Sequence, residues 1–242
     1  MFNLFSLDSF SIFSQQHLII LLIFTCITVG LSILGNRLRK NKNSELILLI
    51  SKMLIGFAII QELLDYTNRY LNGTLSLSVD LPFHICHYVF FLSIITIYNK
   101  NEYLFNFCYF NAFSGALVAN LTPDTNGVVG DLGLFFFFMH HFLIMINVLW
   151  MIFAYKMIPT FKGLLVTAMM LNLFGIPIAL INWLIGDGAN YMYLCKKPPV
   201  DNILLVGEWP FYIFAMEVIG FMIFLILLMP FKVGGMIRQS AN

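Results

Sequence analysis

The sequence predicts an all-α membrane protein of seven transmembrane helices, N-terminus outside and C-terminus cytoplasmic, forming a single domain over residues 1–242. Three observations carry this. First, 60% of the 242 residues are hydrophobic and only 10% charged, with a mean hydropathy of +0.88. Soluble domains carry about 25% charged residues, so the ionic groups here are too few to cover a water-facing surface. Second, apolar runs of spanning length recur seven times. Third, the cations are shared unequally between alternate loops. The same composition excludes a disordered chain, which needs low hydrophobicity and high charge. A net charge of +1 gives nucleic acid nothing to bind, and none is expected as a partner. Four cysteines without paired spacing argue against a disulfide framework.

Each span follows from its apolar run, at about 20 residues per crossing. The first lies near 17–35. No Lys or Arg precedes Arg37, so the basic leader of a cleaved signal peptide is lacking and this segment is expected to be retained. The second lies near 46–64. The third, near 81–98, is short, with Pro82 expected in its first turn, where a missing N–H costs nothing. The fourth occupies 103–121. The fifth, 132–155, carries the run Phe135 to Phe138 on all its faces and reads as a lipid-buried helix. The sixth, 161–185, contains Pro177 and is expected to kink there. The seventh lies near 206–229.

Ten of the thirteen basic residues fall on one side: Arg37, Arg39, Lys40, Lys42, Lys52, Lys100, Lys156, Lys162, Lys232 and Arg238. Arg69, Lys196 and Lys197 fall on the other. Basic loops stay in the cytoplasm, which sets the orientation and turns the longer loops, about 65–80, 122–131 and 186–205, outward. The expected location is the cell membrane, as a multi-pass protein.

With orientation assigned, each polar residue acquires a depth at 1.5 Å per residue. His17 falls at the outer start of the first span, and Glu62 and Asp65 at the outer end of the second. His84, Cys86 and His87 occupy the outer turns of the third. Asn120 and Asp124 close the fourth, while His140 and His141 lie about two turns deep in the fifth. Asn182, Asp187 and Asn190 gather at the outer end of the sixth. Glu208 begins the seventh, and Glu217 is mid-membrane. All five histidines and most carboxylates thus converge on the outer half. Ionisable groups inside a span are costly and usually face a cavity, so a polar cavity open to the outer leaflet is expected. The plain alternative is a set of inter-helix hydrogen bonds that only hold the bundle together. Tyr191, Tyr193, Trp209 and Tyr212 read as interfacial anchors.

The segment Leu81-Pro82-Phe83-His84-Ile85-Cys86-His87 is the most suggestive chemically. On a helix, His84 and Cys86 diverge by about 200°, so a proton acceptor for Cys86 must come from another span. His140 and His141 lie at a compatible depth. Such a Cys–His couple supplies a thiolate and a general acid/base for acyl transfer through a thioester. Alternatively Cys86 is a small buried apolar residue. A second chemistry uses the same residues as ligands: His84, His87 and His140 or His141, with Glu62 or Asp65, would hold zinc in a hydrolytic site. Residue types alone leave these open.

Four motifs occur in order: Leu81-Pro-Phe-His84-Ile-Cys86; Ser114-Gly-Ala-Leu-Val-Ala-Asn-Leu-Thr-Pro-Asp124; Asn182 with Gly188-Ala-Asn190-Tyr191-Met-Tyr-Leu194 and Lys197-Pro198; and Trp209-Pro210-Phe-Tyr212. Together, from about His17 to the seventh span, they resemble the YwaF-type bacterial integral membrane proteins. That family is related to eukaryotic multi-pass phospholipid acyltransferases. The resemblance implies that Cys86 is the nucleophile and His141 or His140 its partner, with His141 favoured. It also implies phospholipid or lysophospholipid as partner, with Lys196 and Lys197 placed to meet a phosphate. His84, His87, Glu62, Asp65, Asn182, Asn190, Tyr191 and Glu217 are expected on the substrate side. No cofactor is expected on this reading. The competing readings are a metal-dependent lipid hydrolase using His84, His87 and His141, and a non-enzymatic transporter or sensor. An inner half almost without ionisable residues gives a transport path nothing to follow.

Overall fold

The computed structural model describes residues 4–186, 188–197 and 207–240, with side chains as far as Lys232. Asp187 and Pro198, and the Arg238 side chain, lie outside the described residues. Among the described residues the protein is helical throughout, without strands. Helices α1 (Gln15–Lys40), α2 (Ser44–Leu71), α3 (Ile85–Asn99) and α4 (Glu102–Asn111) come first. A single π turn, Ala112–Ala116, joins α4 to α5 (Leu117–Leu121), and α6 (Gly130–Tyr155), α7 (Phe161–Ile185) and α8 (Phe211–Ser240) follow. Among the described residues six spans, counting α4 to α5 as one, are long and apolar enough to cross a membrane, and α3 is a shorter apolar helix. Large apolar side chains such as Leu22, Met53, Leu173 and Ile226 stand exposed along their outer faces, where lipid and not water is the matching solvent. The chain is a multi-pass membrane protein.

Local chemistry starts and stops these helices. Ser14 accepts a hydrogen bond from the His17 amide at the head of α1, and Arg37, Arg39 and Lys40 populate its last turn, where cations complement the helix dipole. Asn43, Asn101 and Thr160 cap α2, α4 and α7 through their side chains. Lys100 and Lys156 end α3 and α6 in left-handed conformations.

Helix α6 is the axis of the bundle, packed by α1, α2, α3 and the α4–α5 segment. This corrects the expectation for Phe135–Phe138. Phe136 and Phe138 are buried against protein, with Phe138 in a cluster with Ile20, Phe24 and Leu134. A run that is apolar on all faces suits a helix enclosed by other helices as well as one enclosed by lipid. Helices α7 and α8 are peripheral, touching the rest through α4 and the π turn. Pro177 lies within α7, which continues to Ile185.

The third span is the main revision. Residues 81–84 are not helical; α3 begins at Ile85, with His84 as its N-cap, and has 15 residues. Pro82 therefore belongs to the preceding turn, in which the Phe83 amide donates to the Leu81 carbonyl. At 1.5 Å per residue α3 is about 22 Å long, short of the roughly 30 Å hydrocarbon thickness. The seventh helix likewise begins at Phe211, later than the apolar run suggested.

One close approach locks α7 to α4. Asn106 donates to the Glu102 carbonyl at 2.6 Å and accepts from the Thr160 amide at 2.8 Å. Gly163 lies directly beneath it, and a Cβ there would overlap the Asn106 side chain. Gly163→Ala is expected to cost about 2 kcal/mol through forced displacement of Asn106 and loss of the Thr160 bond. The unfolding midpoint in detergent would show this, and Gly163→Ala/Asn106→Ala should recover much of the loss.

Candidate functional site

A cavity of about 1250 Å³ opens among α2, α3, the π turn, α6, α7 and α8. His84, Cys86, His87, His140 and His141 all line it, with Asp65, Arg69, Asp80, Asp124 and Tyr193. Its other limb, between α7 and α8, is formed largely by apolar and small residues including Gly175, Ile176, Gly220 and Phe221, interrupted by Asn172 and Glu217. A polar end thus passes into an apolar one.

The late start of α3 decides how Cys86 is presented. Cys86 is the second residue of the helix, in the turn whose amides have no intrahelical acceptor. The positive end of the helix dipole stands there and stabilises negative charge on a nearby group. Cys86 is half-buried and forms no disulfide. On the facing wall, Ser114 and Gly115 come from the π turn, an irregularity found often at functional sites.

Two adjacent histidines of α6 have different partners. His140 Nδ1 lies 2.9 Å from Glu62 Oε2 on α2, and both residues are buried, at 8% and 6% exposure. Its Nε2 has no hydrogen-bond partner. The ring stacks on Phe90 at 4.3 Å, stands 5.1 Å from the His87 ring and lies against the Cys86 main chain. His141 Nδ1 instead meets the Phe137 carbonyl one turn back on its own helix, at 2.8 Å. A carbonyl only accepts, so His141 carries its proton on Nδ1. His87 Nδ1 is buried and unpartnered.

Four of the five histidines therefore share the cavity; His17, expected with them, does not. Its Nε2–H donates to the Asn120 carbonyl at 2.8 Å, and its Nδ1 accepts from the Phe13 amide at 2.9 Å. With both nitrogens satisfied in one tautomer, it is a joint between α1 and α5. Asn120 is likewise buried in that joint.

Asp65 reaches the cavity as half of a charge network. Arg69 donates to Asp65 at 3.2 Å and to Asp80 at 2.8 Å. Asp80 accepts from the Ser76 amide, and its carbonyl accepts from the Tyr66 hydroxyl. The network fastens the loop leading to His84. In the sequence alone Arg69 is only an outer cation. Its i,i+4 spacing from Asp65 was the available signal, whereas Asp80 is brought in by the loop.

Asn182, Asn190 and Tyr191 lie outside the cavity wall and build the loop beside it. Asn182 exchanges two hydrogen bonds with the Tyr191 main chain, at 2.8 and 3.0 Å. Asn190 is engaged with the main chain of Cys195 and Lys196. The Tyr191 hydroxyl donates to the Leu77 carbonyl and accepts from the Leu81 amide, while its ring supports His84 at 5.2 Å. Tyr191 and Tyr212 are fully buried and so are not interfacial anchors. Lys197 pairs with Glu208 at 3.5 Å, outside the cavity. Glu217 does line it.

Tyr193 was overlooked as a wall residue. It and Met192 have positive φ, 54° and 56°, uncommon values for non-glycine residues. The Tyr193 ring stands 5.4 Å from His84. Burial pushes its phenol up to about 12, so the hydroxyl stays protonated and available as a donor.

The metal-hydrolase arrangement is not assembled. Among the described residues no three His, Cys, Asp or Glu side chains are grouped to hold a metal ion. The His84 and His87 rings are 6.5 Å apart, the latter on the helix and the former on its cap.

A family model described as the TMEM164 family matches residues 12–228, and the chain belongs to that family. No curated protein and no solved structure matches the chain.

Proposed function

We propose that this TMEM164-family protein is an intramembrane acyltransferase that takes a fatty acyl group from a phospholipid ester onto Cys86 and passes it to an acceptor hydroxyl. The observation that carries the reading is one cavity joining a helix-N-terminal cysteine, four histidines and an apolar limb between α7 and α8. The motif order shared with YwaF-type proteins, and their relation to phospholipid acyltransferases, supports it. On this reading the cavity opens to the outer leaflet of the cell membrane, the lysine-rich ends of the helices facing the cytoplasm.

The chemistry balances in two steps. The Cys86 thiol passes its proton to a histidine Nε2, and Sγ attacks the ester carbonyl. The carbon–oxygen bond then breaks, and the departing lysolipid oxygen takes the histidine's proton, leaving an acyl thioester. In the second step the acceptor hydroxyl gives its proton to the histidine and attacks the thioester, and the thiolate leaves and is reprotonated. On this reading the amides at the helix N-terminus stabilise the oxyanion of each intermediate, with the Tyr193 hydroxyl a further donor from the same cavity wall.

The direct test is to incubate the protein in lipid vesicles with phospholipid carrying a labelled acyl chain. Hydroxylamine-labile label on Cys86, followed by label in an added lysolipid, is the expected result. A protein that never acquires label, under conditions where its fold is intact, refutes the reading.

The apolar limb carries a second expectation. Gly175 and Gly220 have open space where a side chain would stand. Gly220→Trp should fill the limb, lowering kcat/KM for long-chain donors by about tenfold or more, the equivalent of losing two buried methylenes. Short-chain donors should be nearly unaffected. An equal loss for all chain lengths would place the acyl chain elsewhere.

A further inference from the structure

We propose that Glu62 is a positioning residue that holds His140 with its proton on Nδ1, making His140 Nε2 the base for Cys86. This deepens the acyl-transfer reading and rests on it. Glu62 and His140 are 78 residues apart in sequence, on α2 and α6, and meet at 2.9 Å. Ionised, the carboxylate only accepts, so the Nδ1 facing it bears the hydrogen. Nε2 is then a bare lone pair, and it is the nitrogen left buried without a partner. An unpaired buried acceptor is costly. Here it belongs to a ring that lines the cavity beside Cys86 and is held flat by Phe90.

The same comparison separates the two adjacent histidines. Phe137 fixes the tautomer of His141 with a neutral carbonyl. Glu62 fixes that of His140 with a group that also stabilises the positive charge appearing when Nε2 takes a proton. His140, not the His141 favoured from sequence, is therefore the proton carrier. The Cys86 proton moves to His140 Nε2, the imidazolium is held by the Glu62 carboxylate, which stays ionised, and the proton leaves with the departing oxygen. The His87 ring stands 5.1 Å from that of His140 and Phe90 stacks on it, while Asp65 and Arg69, one and two turns beyond Glu62 on α2, pair with each other and so add one charge of each sign.

The test uses the full chain in nanodiscs with nitrogen-15-labelled histidine, His140 being assigned by its loss in His140→Gln. Wild-type protein should show His140 protonated at Nδ1 and bare at Nε2. In Glu62→Gln, whose amide can donate as well as accept, the proton should redistribute to Nε2. Alkylation of Cys86 by a neutral haloacetamide should slow about tenfold to a hundredfold, with the His141 signals unchanged. Glu62→Asp should restore part of the rate. A wild-type His140 protonated at Nε2, or a Glu62→Gln protein with tautomer and alkylation both unchanged, overturns the proposal. The two readings fail separately. Absence of the acyl thioester with the tautomer still dependent on Glu62 sinks the acyltransferase and leaves the positioning role. Normal thioester formation with no such dependence does the reverse.

Discussion

Cys86→Ala is expected to reduce acyl transfer by at least about a thousandfold and to abolish hydroxylamine-labile acylation, while leaving the protein folded. The size of the loss follows from removing the nucleophile, without which no covalent intermediate forms and only binding and charge stabilisation remain. The stability cost should be small, because Cys86 is only half-buried and alanine suits the first turn of a helix. Cys86→Ser separates nucleophile from geometry. Its hydroxyl is a much poorer nucleophile, so transfer should stay within about tenfold of the alanine variant, yet phospholipid should still bind. Measuring transfer and lipid binding side by side in vesicles checks both. A Cys86→Ala protein with more than a tenth of wild-type transfer would exclude the thioester route.

Arg69→Met is expected to cost about 3 kcal/mol of stability. Removing one partner from a largely buried charge group leaves the others uncompensated, an effect of about 3–5 kcal/mol in buried pairs. Here two carboxylates depend on one guanidinium, with side-chain exposures of 20% for Arg69, 17% for Asp65 and 7% for Asp80. The partial exposure of Arg69 and Asp65 weakens the effect, which places the expectation at the lower end. The loop before α3 should loosen as well, since Asp80 ties Arg69 to the Ser76 amide. Arg69→Met/Asp80→Asn should recover about half of the loss, because one of the two stranded charges is gone. Chemical unfolding in mild detergent distinguishes these variants. A cost below about 1 kcal/mol would mean that the network is as weak as an exposed ion pair.

Long apolar runs were the most legible part of this chain. The runs expected near 132–155 and 161–185 are the helices Gly130–Tyr155 and Phe161–Ile185, because hydropathy measures directly the transfer that defines a span. It says nothing about which neighbour covers a face, so α6 read as lipid-exposed although it is the axis of the bundle. Counting residues along each run also grouped His84, Cys86, His87, His140 and His141, which line one cavity. Rotation was not legible. His17 lies at the right level and is consumed by Asn120 and Phe13, and Asn182 is at the right end of α7 but pairs with the loop. The Glu62–His140 contact depends on how α2 and α6 turn toward one another, which no local pattern encodes. Nor did periodicity reveal that Pro82 precedes α3, since a proline just inside a helix and one just before it look alike in sequence.

The shortness of α3 has a consequence for the membrane itself. A 15-residue helix falls about 8 Å short of the hydrocarbon layer, and its missing turns are those above Cys86. On the proposed acyl-transfer reading, a thiol at the head of such a truncated span would sit below the headgroups, near the level of lipid ester linkages. Hydrophobic mismatch then becomes a depth gauge. Host bilayers of different thickness shift the ester plane relative to Cys86, so membrane thickness joins chain length as a determinant of which ester bond comes within reach.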